Sequence, residues 1–289
     1  MKGFKFVNTL LSFVLAIFLF MSASLGALYL SVFNEKKTLG MFVSEEYMSA
    51  SYDDFMSSME ALATPSYISK ECYESVFSRE RYFKDLKKFF SETFRTGKRY
   101  DLSKDTSDIQ EKLYENIEQF GREKDIEITE AIEENIKDFS NQAVEKYRKY
   151  ISLSFIQYYS KICSKFEKPL IVALGVCLLF SLVISIILIK SKYYDRCAKD
   201  YFSYSFVTAA IFTAIYPIYS FSTGLYKKIN ITPRYVYDII KALLLNVQNT
   251  FFVFSVILFV VGIVFSVTAF FGAYSGKRKD EKNELQTTA

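Results

Sequence analysis

Apolar and polar residues alternate along this chain in two rhythms. Four stretches carry no charged residue at all: 9–33, 169–189, 203–225 and 250–274. A bilayer core about 30 Å thick is crossed by about 20 apolar residues in a helix, so each stretch is long enough to be a transmembrane helix. The segment 34–168 has another rhythm, with apolar residues at helical spacing among charges. Met48, Tyr52, Phe55, Met59 and Leu62 step by four and three until Pro65 breaks the run. Phe83, Leu86, Phe90 and Phe94 form a second stripe that stops at Gly97, as a helix C-terminus does. Ile109, Leu113, Ile117 and Phe120 form a third, ending beside Gly121 and preceded by Asp-Thr-Ser-Asp at 105–108, residues suited to cap a helix start. A fourth starts near Thr129 and keeps a heptad-like register through Ile132, Ile136, Phe139, Ala143, Tyr147, Tyr150, Ser154 and Tyr158. It predicts an unbroken stalk reaching the membrane, where Pro169 either opens the second span or kinks the helix. The expected fold is all-α: four transmembrane helices, with a helical extracytoplasmic domain inserted between the first and second.

Two regions modify this outline. Lys2 and Lys5, an apolar core and the small residues of MSASLGA resemble a signal peptide, but the apolar run continues through Leu28, Leu30 and Phe33, a length that favours an uncleaved anchor. In 226–249, Thr232 and Pro233 read as a helix start, followed by one apolar face of Val236, Ile239, Ile240, Leu243, Leu244 and Val247. The expectation is an amphipathic helix lying on the membrane surface or under the stalk. Within the spans, the rows Ala173, Cys177, Ser181, Ser185 and Gly262, Ser266 suit close helix packing. Pro217, among Thr213, Tyr216, Tyr219 and Ser220, predicts a kink that frees a carbonyl for a polar neighbour.

Charge then orients the chain, because Lys and Arg in short loops stay on the cytoplasmic side. Lys2 and Lys5, Lys190, Lys192, Arg196 and Lys199 of the 190–202 loop, and Lys277, Arg278, Lys279 and Lys282 of the tail all fall on one side of a four-span chain. Both termini are therefore expected in the cytoplasm of a multi-pass protein of the cell membrane. Segment 34–168 holds 22 basic and 26 acidic residues, net −4, whereas the expected cytoplasmic pieces carry net +5. The overall charge of +4 thus reflects topology and attraction to anionic lipid, and implies no nucleic acid. The expected partners are membrane lipid and a protein in the envelope or membrane.

Reactive chemistry is sparse. The chain has no His, the usual general base near neutral pH and the commonest metal ligand. Cys72, Cys163, Cys177 and Cys197 are scattered without a C-x-x-C pair. Cys72 is expected at the tip of the domain and Cys163 near the membrane, too far apart for a disulfide. Glu130, Glu133 and Glu134 suit the positive end of the fourth helix; Lys84, Lys87 and Lys88 with Asp85 read as a solvated face. No catalytic, cofactor or metal site is predicted, and the chain is not read as an enzyme. The candidate functional residues are a coupling loop of Lys190, Lys192, Arg196 and Lys199, and hinges at Pro169 and Pro217.

The stretches YISKECYESVF, DTSDIQEKLYENI and ITEAIEENIKDF, within roughly 40–150, resemble the extracytoplasmic part of uncharacterised multi-pass membrane proteins of low-GC Gram-positive bacteria, a group with no assigned activity to carry over. The layout is also similar to the four-pass permeases of ABC transporters of the cell-division and macrolide-efflux type. It departs from them in lacking a cytoplasmic helix before the first span and in an outer domain that reads all-helical. The expected function is a non-enzymatic sensor, scaffold or regulator with a helical interaction domain. The permease resemblance implies the alternative, a transporter subunit joined to a separate ATPase through the basic loop.

Overall fold

The computed structural model describes the backbone of residues 2–126, 128–190 and 194–287, and the side chains of 5–126, 128–153, 155–190 and 199–271. No strand occurs among the described residues. The helices are α1 (Lys2–Leu28), α2 (Glu35–Phe42), α3 (Glu45–Ala63), α4 (Lys70–Glu74), α5 (Arg79–Thr96), α6 (Ser107–Glu123), α7 (Glu130–Ile151), α8 (Ser154–Lys190), α9 (Tyr194–Thr223) and α10 (Arg234–Thr287). Four helical stretches are long and apolar enough to cross a membrane, within Lys5–Phe33, Glu130–Lys190, Lys199–Thr223 and Arg234–Phe271. The chain divides into two compact units. One comprises Met1–Asn34, Phe166–Ile229 and Leu243–Ala289; the other Glu35–Lys165 and Asn230–Ala242.

The first unit contains the apolar stretches. Leu15, Ile184, Leu188 and Phe202 form its core, and Phe18 stacks on Phe180 with ring centroids 5.2 Å apart. Small residues permit the closest approaches. The hydroxyls of Ser12 in α1 and Ser205 in α9 meet at 2.9 Å. Ser203 donates to the Gly262 carbonyl at 3.0 Å, joining α9 to α10. A Cβ on Gly262 would stand 2.7 Å from Val207 Cγ2 and 3.1 Å from the Val207 amide nitrogen, so only glycine fits this crossing. Ser266, the next member of that row, is exposed. In α8 the hydroxyls turn inward along their own helix: Ser181 donates to Cys177 O at 2.9 Å and Ser185 to Ser181 O at 2.7 Å. Between helices, Asn246 donates to Ser31 O and Ser220 to Gln248 Oε1, each at 2.8 Å. Leu179, Leu182, Phe221 and Phe270 are exposed, as lipid-facing side chains are.

The second unit is built on aromatic rings. Phe55 of α3, Phe77 before α5, Tyr82 of α5 and Tyr147 of α7 are fully buried, and their centroids lie 5.2–5.8 Å apart in the pairs Phe55–Phe77, Phe55–Tyr82, Phe55–Tyr147, Phe77–Tyr147 and Tyr82–Tyr147. Such pairs contribute about 0.5–1.5 kcal/mol each beyond their burial. The phenols are satisfied inside the core: Tyr82 meets the Ser51 hydroxyl at 2.7 Å, and Tyr147 donates to Asp85 Oδ2 at 2.8 Å. A second cluster gathers Phe90, Phe94, Phe155 and Tyr159 around Phe42.

Four sequence expectations change. The predicted stalk is broken, because α7 ends at Ile151 and α8 begins at Ser154. Ser152 and Leu153 are buried at the break, where Arg99 donates to Ser152 Oγ at 2.7 Å and the Ser152 amide donates to Arg148 O. The 226–249 region holds no separate surface helix: α10 starts at Arg234 and continues without a break to Thr287. Its first turns bury Tyr235 against Tyr47 and Tyr150, at centroid distances of 6.1 and 5.7 Å. Thr106 does not cap α6 with its side chain; its hydroxyl donates to Leu102 O at 2.8 Å and accepts from Arg148 Nε at 2.7 Å. Asp85 is buried rather than part of a solvated face.

The 105–108 carboxylates serve instead to tie α6 to α5. Arg81 grips both oxygens of Asp108 and also donates to Asp105 O at 3.0 Å, while Lys88 binds the Asp105 carboxylate at 2.6 Å and Tyr100 donates to it at 3.0 Å. The hydrogen bonds from Arg81 hold the Asp108 carboxyl well below the ordinary carboxylate range. Burial pushes Asp85 the other way, opposed by the Tyr147 hydrogen bond and the Arg81 charge.

Two outcomes follow for the folded chain in detergent. Gly262→Ala should lower thermal stability by about 1–3 kcal/mol, since its methyl must displace packed atoms, whereas Gly40→Ala, with no atom within 4 Å of the added carbon, should not lower it. Melting temperatures of the two variants, compared with the parent, decide this. The second concerns pH. Asp108 contributes stability that is fully present above the unfolded carboxylate value of about 3.9 and is lost as pH falls below it. The raised Asp85 value acts oppositely, favouring the folded state as pH falls through that value. Thermal melts from neutral to acid pH should therefore show Asp108→Asn flattening the acid loss, and Asp85→Asn stabilising at pH 7 while steepening it.

Candidate functional site

The ends of α3 and α6 are built alike. After α3, a short turn at Thr64–Ser66 closes with the Ile68 amide donating to Ala63 O and the Tyr67 amide to Thr64 O, both at 3.2 Å. After α6, the Ile126 amide donates to Gly121 O at 2.9 Å and the Asp125 amide to Arg122 O at 3.3 Å. Both are Schellman closures, whose penultimate residue must take left-handed backbone angles, usually as glycine. Here those residues are Tyr67 and Asp125, each at φ +55°, and they alone among the described non-glycine residues have positive φ. Gly97 supplies the ordinary solution at the end of α5, with φ +65°.

A cleft of about 400 Å³ opens between these two turns. Its walls are Ile68 and Cys72 on one side, Ile117, Phe120 and Gly121 on the α6 side, and Ile132 and Ile136 on α7. Asn116 of α6 donates to Cys72 O and Ser75 Oγ, each at 3.1 Å, fixing α4 against α6 behind the cleft. Burial pushes the Cys72 thiol above its ordinary value, which keeps it protonated. Among the described residues the lining contains no charged side chain; its polar groups are Ser66, Tyr67 and Ser69 on one turn and Asn135 on α7.

The rim is exposed and apolar: Tyr67 is 96% exposed and Ile126 50%, and the other exposed large apolar side chains described in this unit, Tyr158 and Ile162, lie on α8. At Gly121, three positions before the cap of this closure, a Cβ would meet Ile128 Cδ1 at 3.6 Å, so the loop lies directly over the glycine. A pocket of this size with apolar walls and a few polar groups has the form of a small-ligand site.

The sequence-selected residues lie elsewhere. Lys190 is the exposed last residue of α8 and Lys199 is exposed in α9, so the expected 190–202 loop is largely the start of a helix. Lys192 and the side chain of Arg196 lie outside the described residues. Pro169 and Pro217 both sit inside helices, α8 and α9, where each removes one backbone donor. Near Pro217, Thr213 donates to Ala209 O at 2.8 Å. Glu133 accepts from Lys137 at 2.7 Å in an exposed pair one turn apart. Cys72 and Cys163 are buried and not joined to each other.

Relieving the turns should raise stability. Tyr67→Gly removes a side chain that packs on nothing and permits φ +55° without a Cβ clash, a gain of about 1 kcal/mol. Asp125→Gly should gain less, because Asp tolerates this conformation better. Chemical denaturation of the full chain in detergent checks both; no gain from Tyr67→Gly would remove the strain argument. In comparison with known proteins, the chain matches no family model, no curated protein and no solved structure, so the cleft stands on its own geometry.

Proposed function

We propose that the protein is a non-enzymatic membrane sensor or scaffold whose helical domain recognises a component of the cell envelope through the cleft between the Tyr67 and Asp125 turns. The cleft carries this reading. A chain that holds a tyrosine in a left-handed conformation while exposing its ring forgoes stability at that point, and such outliers mark functional positions. The domain faces outward, because the basic residues of the short segments, Lys190, Lys199 and their neighbours, keep both termini in the cytoplasm. α8 and α10 each supply residues to both compact units, which gives binding in the domain a route along the helix backbone to the spans.

A membrane-impermeant crosslinker applied to intact cells, followed by purification of the full chain, tests this. The expected result is an envelope component attached through residues within 34–168, and its loss when Ile132→Trp fills the cleft. Attachment through Lys199 or the C-terminal tail would place the domain on the wrong side. A stoichiometric ATP-binding protein recovered in place of the envelope component would favour the permease-like alternative.

A further inference from the structure

We infer that the cleft binds an aliphatic hydrocarbon chain, the tail of an amphiphile whose polar head rests at the Ser66–Ser69 turn; this rests on the reading of the cleft as the recognition site. The walls favour this class. Ile68, Ile117, Ile126, Ile128, Ile132 and Ile136 all face the same space, and they come from four separate segments of the domain. Branched aliphatic walls offer dispersion contacts all along a flexible chain. Phe120 and Tyr67 are the aromatic rings of the lining, and the remaining large apolar walls are aliphatic.

Charge narrows the class further. A charged ligand buried against uncharged walls would lose its hydration without a partner; among the described residues no Lys, Arg, Asp or Glu lines the cleft, and Lys124 stands over the Phe120 ring with its ammonium 5.6 Å from the centroid. These walls suit a neutral part of the ligand. The polar groups are not dispersed over the walls: Ser66, Tyr67 and Ser69 lie within four consecutive residues of one turn, and Asn135 stands exposed on α7. A molecule apolar along its length and polar at one end satisfies both features. The volume of about 400 Å³ lies at the lower end of small-ligand pockets, which fits one chain better than a bundle of them. Tyr67 at the rim, exposed and held at φ +55°, has its phenyl face available to cover such a chain and its hydroxyl to meet the head.

The tail could come from a free amphiphile or from a membrane lipid, and the experiment separates them. The full chain in nanodiscs is irradiated with either of two photoreactive probes: decanoic acid bearing a diazirine, added from water, or phosphatidylcholine bearing the diazirine in an acyl chain. Labelled peptides are located by mass spectrometry. Label on peptides containing Ile68–Cys72 or Ile117–Ile136 from the first probe alone identifies a free amphiphile, and from the second a lipid. In both cases Ile132→Trp should abolish that label and leave label on α8–α10 unchanged. Absence of cleft label from both probes, or label that survives Ile132→Trp, overturns the proposal. So does a protein crosslinked to these same peptides in place of the probes, an outcome that retains the cleft as a recognition site. If Ile132→Trp abolishes the alkyl label yet leaves the crosslinked envelope component in place, the aliphatic site stands and the sensor reading falls.

Discussion

The packing of Phe55 against Phe77, Tyr82 and Tyr147 is the interaction on which the helical domain depends. It draws α3, α5 and α7 to a single point, and the rings are large enough to fill the space where three helices meet. Two consequences follow from using tyrosine there. Each buried phenol needs a partner, and the partners of Tyr82 and Tyr147 are Ser51 and Asp85. Asp85 is thereby carried into the interior, where its carboxyl resists ionisation. Arg81 stands one turn away at 3.8 Å and also holds Asp108, so the core and the α5–α6 tie share one cation. The cleft lies where this aromatic packing gives way to isoleucine, beside α4 and the ends of α3 and α6.

Much of the fold was legible because helical spacing survives in a mixed sequence. The stripe Met48–Leu62 became α3, the Phe83–Phe94 stripe became α5 with Gly97 at its end, and the charge-free runs became helices long enough for a bilayer. The expected continuous stalk failed because periodicity does not register a short interruption. Ser154 and Tyr158 keep the phase of α7, while buried Ser152 and Leu153 end that helix against Arg99. The apolar face of 236–247 was visible, but the residue that anchors its start is Tyr235, which stands next to the stripe and packs with rings more than eighty positions away.

The site was not legible, and the reason is specific. Its walls come from 65–72, 117–121, Ile126 and Ile128, and 132–136, no one of which carries a motif. The strongest local signal for a left-handed helix closure is glycine, and Tyr67 and Asp125 replace it. Gly121 did mark the end of the third stripe, but nothing in the stripe shows that Ile128 packs over it. The residues that sequence reasoning selected, Lys190, Lys192, Arg196 and Lys199, are a reading of topology and not of chemistry.

The burial of Tyr235 also sets an order on biosynthesis. Tyr47 and Tyr150 leave the ribosome long before residue 235 exists, and the charge-free stretches 169–189 and 203–225 must be made in between. Domains ordinarily fold as they emerge, the N-terminal parts first. This one can assemble α3, α5 and α7 around Phe55 early, but the ring that covers Tyr47 and Tyr150 arrives only with the start of α10. Until then the nascent domain presents an aromatic surface that its own later sequence must close. A chain stopped anywhere before residue 235 is thus left with its helices formed and its last seam open.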